Sequence, residues 1–570
     1  MRASFRAVIF DLDDTLFDCT GSLIDASRHR AAQALVDAGL PMSVDEAFEL
    51  QKDLAADHGP HFLVFDEIGE RYDLDQEALQ IAYRAYNREE VADDIHLFPD
   101  ALSTLRTLRR QGIKCFLLTV GNHRRQRGKI TKLGLESKFD DVLVSDVDRG
   151  ARMTECLRYF LSKYKLNPAE VLIVGDRPSE EIRYGNELGF TTAQMLHGRF
   201  SRAEPRDQFE VPDYKITNIF QVPTILRMVD LGKPPDHLRI VAMGGGTGLP
   251  IVLEGCKTYS KHLTAIVAVT DSGRSSGKLR DELGILAPGD VRNCLVALSE
   301  PGERERRLNG LFQYRFAEGS LEGMSLGNLV IAATTDMTGR FEKGIRLVSN
   351  LLNINGKVLP STLTDCHVCA ELKDGSVVEQ EVQVRGLDKP PIEKVFLKPQ
   401  DAEALDEAVE EIENADILVL GPGSLFTSVI PNILVPRIRD AVKNTRARVY
   451  YVCNAMTQPG QTEGFSARDH YIALEKHLGP QIIDCMILNS TDPPQNIVEK
   501  YRADGAELVG KQEDVKDIDV RTVFTDLLED ISQPRVLWEK QDLLRHHPDK
   551  LGDAVCRLFG GMEARDAVAD

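Results

Sequence analysis

The sequence predicts an α/β protein of two doubly wound domains, the first with a helical cap and the second with a small β-rich insertion. Three observations carry that expectation. At 570 residues the chain is too long for one compact domain, since domains run to roughly 150 residues each. Strand-length apolar runs alternate with helix-like segments in both halves, the pattern of a parallel sheet covered on both faces. Between the halves, Pro205, Pro212, Pro223, Pro234 and Pro235 gather ahead of a strand that restarts the alternation.

The elements follow in order. AVIF (7–10) is a strand opening into an acidic loop, and helical patterns fill residues 20 to about 93. Further strands are expected at KCFLLT (114–119), DVLVSD (141–146) and EVLIVGD (170–176). GKPPDH (232–237) reads as a linker, because paired prolines stop any helix before them. The domains are therefore expected at 1–232, with the cap at about 20–95, and at 238–562. The second alternation runs through LRIVAMGGGTG (238–248), TAIVAVTDSG (264–273), ADILVLGPGS (415–424), RVYYVCNAM (448–456) and IDCMILNS (483–490). Residues 357–385 instead alternate at period two around Asp374-Gly375, which predicts the β-rich insertion.

Composition narrows the function. Lys and Arg total 69 against 89 Asp and Glu, a net charge of −20, so the chain repels polyanions and nucleic acid is not an expected partner. No run of 18 apolar residues suggests a membrane span. Asp11, Asp13 and Asp14 interrupt the place where a signal peptide needs an apolar stretch. Ten Cys are too few for a disulfide framework. A soluble, cytoplasmic protein acting on small molecules is expected, with homo-oligomerisation left open.

In FDLDDTLFD (10–18), Asp11 and Asp13 stand two apart directly after a strand. One carboxylate of such a pair can attack phosphorus while the other protonates the leaving oxygen and later activates water. Because both repel an anionic substrate, a divalent cation is required, and hard carboxylate oxygens favour Mg²⁺. A lone Asp-x-Asp would be no more than a cap. Here Thr119, Gly121 and Asn122 end the second strand, and GDRPSEEI (175–182) ends the fourth with Asp176, Glu180 and Glu181. In a doubly wound sheet these ends meet in one crevice.

Three such clusters in this order resemble the haloacid dehalogenase superfamily of phosphatases over about residues 5–230. The resemblance implies Asp11 as nucleophile, Asp13 as acid and base, and Thr119 as a phosphoryl ligand. It also implies Mg²⁺ held by Asp11, the Asp13 carbonyl and Asp176, with the helical cap closing over a phosphorylated small molecule. The lysine that the family places before its fourth strand is replaced by Met153, leaving Lys129, Lys132 and Arg152 to supply the charge.

In the second half, GGGTG (244–248) joins a strand to an apolar helix-like segment. Glycines there let backbone amides approach a phosphate at a helix N-terminus. Asp271 ends the next strand, PGDVRN brings Asp290 and Asn293, SLGNL brings Asn328, and GPGSLFTSVIPNIL (421–434) is a second glycine loop with Ser424. Two anion-cradling loops, two isolated acids and two amides suit a nucleotide diphosphate or phospho-sugar.

In this order the segments resemble the gluconeogenesis factor (YvcK-like) family and its relatives, the 2-phospho-L-lactate transferases, over about residues 238–562. The resemblance implies a Rossmann-like fold that binds a nucleotide-sugar, typically UDP-N-acetylglucosamine, and a role linking carbon metabolism to cell-wall synthesis and cell shape. It places phosphate at Gly245, Gly246, Thr247 and Gly248, and metal at Asp271 and Asp290. Asn293, Asn328, Ser424 and Arg545 would line the nucleotide site. One departure is Asp271-Ser272-Gly273-Arg274, where the family favours two acids and two glycines. The pair in CHVC (366–369) has no partner pair to complete a zinc site, and its thiols are expected buried and reduced.

Overall fold

A computed structural model of the chain describes residues 5–58, 64–86, 95–146, 152–300, 302–510, 512–515, 518–529 and 544–562. The chain divides into two compact units, Met1–Leu226 and Arg227–Asp570.

The first unit is built on six parallel strands, β1 (Ala7–Phe10), β2 (Lys114–Val120), β3 (Asp141–Ser145), β4 (Val171–Gly175), β5 (Thr191–Met195) and β6 (Tyr214–Ile216). Their order is β3-β2-β1-β4-β5-β6. β1 is apolar and buried at every position, as a central strand must be when helices cover both faces. From β1 the chain builds outward to β3, then returns to β4 on the other side. The carboxyl ends of β1 and β4 therefore flank the switch point, where such sheets hold ligands. Asp11 and Asp176 are the first residues beyond those two ends.

Among the described residues the cap holds the α-helices Asp25–Asp37, Val44–His58, Val64–Tyr72 and Gln76–Tyr86. Ala32, Leu35, Leu40, Ala47, Leu54, Ile68, Leu79 and Ala82 give it a core of its own. Ser43 and Glu46 start the second helix reciprocally, with Ser43 N donating to Glu46 Oε2 at 2.7 Å and Glu46 N to Ser43 Oγ at 3.2 Å. The last stretch of the expected cap, 87–94, lies outside the described residues.

The second unit carries a seven-stranded parallel sheet of β7 (Arg239–Gly244), β8 (His262–Val267), β9 (Lys357–Pro360), β13 (Ile417–Leu420), β14 (Arg448–Val452), β15 (Cys485–Asn489) and β16 (Arg521–Thr525). The order β16-β15-β14-β13-β7-β8-β9 puts its switch point between β7 and β13. The two glycine loops leave those two strands.

The insertion is an antiparallel sheet of β10 (His367–Leu372), β11 (Val377–Glu379) and β12 (Ile392–Lys398), ordered β11-β10-β12. Its extent corrects the expected 357–385. Residues 357–360 pair in parallel with β8 and belong to the main sheet. Residues Glu381–Val384 form a short helix, and the third strand lies beyond Arg385. Period-two alternation marks any half-buried strand and does not say which sheet it joins. Val368, Ala370, Leu372, Val395 and Leu397 pack into the same cluster as Leu418, Leu420 and Val429, so the insertion shares the unit's core. Among the described residues no helix is long and apolar enough to cross a membrane.

Candidate functional site

Each unit places its chemistry at its own switch point. In the first, Asp11 and Asp176 are both buried, as is Thr119 at the end of β2. Asp11 Oδ2, Asp176 Oδ1 and Thr119 Oγ1 are buried without a hydrogen-bond partner. Orphaned acceptors of this kind cost free energy unless a ligand satisfies them. Burial first, then the charges of Glu181, Asp176 and Asp13, holds the Asp11 carboxyl well above the usual range, against the pull of Arg177. Burial and Glu181 likewise raise Asp176. Burial pushes Glu181 up to about 7. A crowd of buried acids with idle oxygens fits a hard divalent cation, for which Asp11 and Asp176 offer unpartnered oxygens.

Besides Arg177, the chain brings Lys129 to the crevice. Its Nζ lies 2.7 Å from both Asp13 oxygens, and Gln126 Nε2 donates to Asp13 Oδ2 at 3.1 Å. Lys129 comes from the helix His123–Lys132, which Asn122 starts by accepting from Arg125 N. Met153, at the place of the family lysine, is buried among Phe116, Leu118, Phe160 and Ile173. Arg152 caps the helix Met153–Tyr164. A cavity of about 260 Å³ opens beside the acids, lined by Asp13, Asp14, Asp176, Arg177, Arg199 and Phe200 among others. Asp14, Asp18 and His197 also approach one another, but Thr20 already donates to both Asp14 oxygens and His197 sits 3.1 Å from Asp18.

In the second unit a cavity of about 430 Å³ gathers Gly246, Thr247, Gly248, Asp271, Asp290, Ser424 and Arg545. The loops touch closely. A Cβ on Gly248 would fall 2.2 Å from the Pro422 carbonyl oxygen, and one on Gly245 would fall 2.3 Å from Asp290 Oδ2. Gly246 has φ +65°, which favours glycine. Asn454 ties the second loop from outside, accepting from Gly423 N at 2.9 Å and donating to Gly423 O at 2.8 Å. Ser424 Oγ donates to Gln461 and lies 2.7 Å from Thr427 Oγ1. Asn328 does not line the cavity. It receives Arg292 Nη1 at 3.1 Å and donates to Ser275 Oγ, while Asn293 receives Arg292 Nη2 at 2.9 Å.

The cavity also contains residues that sequence reasoning missed. Glu381 and Arg385 come from the insertion, Asn454, Gln458 and His546 from later loops, and Tyr501 from the helix Gln495–Ala503. Ser272 N donates to Glu381 Oε2 at 3.2 Å, and Arg385 reaches Glu381 Oε1 at 3.2 Å. Burial and then a hydrogen bond with Asp271 push Glu381 up to about 8, and burial with Asp271 pushes Asp290 to about 6. Asp271, Asp290 and Glu381 gathered around one cavity again fit a divalent cation. His546 is buried with Nε2 unpartnered, and burial drops it to about 4. No motif marks Glu381, which joins Asp271 across 110 residues only through the fold. His546 could have been suspected from HHPDK, where His547 is the cap, accepting from Asp549 N. All ten cysteines are free and buried. Burial pushes Cys366 up to about 11.

Comparison with known proteins divides along the same lines. A family model described as 2-phospho-L-lactate transferase CofD matches residues 240–528, and one described as haloacid dehalogenase-like hydrolase matches residues 5–189. The gluconeogenesis factor of Halalkalibacterium halodurans is 44% identical over 318 residues, 55% of this chain and 95% of that protein. The gluconeogenesis factor of Bacillus subtilis is 41% identical over 330 residues, 58% of this chain and 99% of that protein. A Clostridium acetobutylicum relative is 46% identical over 274 residues, which span 60% of its length. A crystallised Bacillus halodurans protein is 42% identical, covering 56% of this chain and 99% of that one with a TM-score of 0.52.

Proposed function

Since the chain belongs to the 2-phospho-L-lactate transferase CofD family, fused behind a haloacid dehalogenase-like hydrolase domain, we propose a bifunctional cytoplasmic protein. Its first half is a Mg²⁺-dependent phosphomonoesterase. Its second half binds a nucleotide-sugar of the UDP-N-acetylglucosamine kind and ties carbon metabolism to wall synthesis and cell shape.

The observation that carries the phosphatase reading is Lys129, paired to Asp13 within a buried acidic crevice. A chain lacking any such lysine would be a scaffold, whereas this one has a buried ammonium beside its acid–base carboxylate. A bound divalent cation would offset the negative charge of the phosphoryl group. The Asp11 carboxylate attacks phosphorus, forming an aspartyl phosphate as the ester oxygen leaves. Asp13 gives its proton to that oxygen, then takes one from the water that cleaves the acyl phosphate. Thr119 Oγ1, idle in this structure, is free to donate to a phosphoryl oxygen. The full-length protein should release phosphate from p-nitrophenyl phosphate with Mg²⁺, and Asp11→Asn should abolish release. An inactive wild type across a phosphate-ester panel would leave the first half as a scaffold.

For the second half, support comes from the two glycine loops meeting at the switch point over a cavity of about 430 Å³. Backbone amides there suit a diphosphate. The acids Asp271, Asp290 and Glu381 favour a second reading, a Mg²⁺-dependent transferase acting on a nucleotide-diphosphate carrier. Binding of GDP with Mg²⁺, and none of the UDP-sugar, would select it.

A further inference from the structure

Beyond the acids, the first unit's cavity carries two arginines on one ring. Arg177 Cζ lies 5.5 Å from the Phe200 centroid and Arg199 Cζ lies 4.9 Å from it, both within cation–π reach. Both guanidiniums line the cavity that Asp13 and Asp176 share. Arg177 comes no nearer to Asp176 than 3.9 Å, too far for a hydrogen bond, and its buried Nε has no partner. No carboxylate among the described residues pairs with Arg199. The charge of Arg28, buried on the first cap helix and held by Asp25 at 3.0 Å, also acts on Arg199. Tyr86 and Asp176 also act on Arg199, in the opposite sense.

Lys129 is engaged by Asp13 at 2.7 Å, whereas neither arginine has a carboxylate within hydrogen-bond distance among the described residues. The charges of Glu181, Asp176, Asp11 and Asp13 nevertheless act on Arg177. Two forks of parallel donors beside a phosphoryl site match a carboxylate or a phosphate. We propose that this site takes phosphomonoesters bearing a second anionic group, which the Arg177 and Arg199 guanidiniums receive over Phe200. The inference rests on the phosphatase reading of the same crevice. It adds the substrate class.

The test uses full-length protein with Mg²⁺ and three substrates matched in length. Glycerol 3-phosphate lacks a second anion, 3-phosphoglycerate carries a carboxylate, and propane-1,3-diol bisphosphate carries a second phosphate. At least one substrate with a second anionic group should exceed glycerol 3-phosphate in kcat/KM by about tenfold or more, the worth of one charge-assisted hydrogen bond. The larger gain identifies the anion. Arg199→Gln should collapse that ratio toward one, and Arg199→Lys should keep part of it. Equal turnover of all three, or a ratio unmoved by Arg199→Gln, overturns the inference while leaving the phosphatase intact. If p-nitrophenyl phosphate is not hydrolysed either, the phosphatase reading fails. Calorimetry of the same three compounds then decides: tighter binding of a compound with a second anionic group that Arg199→Gln removes supports the anion site, and equal affinities overturn it.

Discussion

Lys129 Nζ stands 2.7 Å from both carboxylate oxygens of Asp13, with both side chains largely withdrawn from solvent. The lysine reaches the crevice from the helix after β2, whereas Met153 lies buried in the apolar core with residues of β1, β2 and β4.

Exchanging these two residues should be asymmetric. Lys129→Met removes a cation from the reacting carboxylate, and phosphate release should fall about 10²-fold or more. Met153→Lys puts an unpaired ammonium into the core and should cost about 3–5 kcal/mol, seen as a lowered thermal midpoint. The double variant should not regain activity. Recovery in that variant would show that the site reads position and not geometry.

His546 gives a pH dependence. Its folded pKa of about 4 lies below the ordinary 6.5, so the folded state refuses a proton that the unfolded chain accepts. Stability is therefore full above pH 6.5 and is lost as pH falls toward 4, by about 3 kcal/mol for this group. His470 and His477 are lowered by burial too, so the comparison must be with a variant. Between pH 7.5 and pH 4.5, full-length wild type should lose more thermal stability than His546→Gln does. A constant gap would remove His546 as the cause.

Much of this was legible in the sequence, for a physical reason. Strand-end motifs such as FDLDD, GDRP, GGGTG and GPGS sit where backbone geometry and chemistry coincide, so local sequence records both. Asp11, Asp176, Asp271 and Asp290 could be named in that way. Lys129 was one of three candidates, because a helix face does not reveal which side meets a neighbouring strand. Glu381 was invisible, since its role comes from an insertion folding back onto Asp271. Asn328 looked like a ligand residue, yet its amide is engaged by buried Arg292 and Ser275. The insertion's limits were missed because β9 alternates as a free hairpin strand would.

Glu381 predicts proton release on cation binding. Raised from 4.5 to about 8, it keeps its proton at pH 7 in the cation-free fold. Stability of that fold accordingly falls as pH rises through this window. Titrating the full-length protein with Mg²⁺ in buffers of different ionisation enthalpy should show on the order of one proton fewer released by Glu381→Gln. Identical release by both proteins would free Glu381 of any such role.

Gly248→Ala tests the contact between the glycine loops. Its Cβ would sit 2.2 Å from a backbone oxygen at Pro422, which cannot rotate away as a side chain could. The loops must separate, at a cost of about 1–3 kcal/mol, and nucleotide-sugar affinity should fall at least tenfold. Unchanged affinity would mean that the loops are not the anion cradle.

The account turns on what the second unit holds between those loops. Isothermal titration of the full-length protein with UDP-N-acetylglucosamine in the presence of Mg²⁺ measures it directly. The account predicts saturable binding at one site per chain, weakened in Gly248→Ala. Absence of heat with the UDP-sugar, alongside binding of GDP with Mg²⁺, would contradict it.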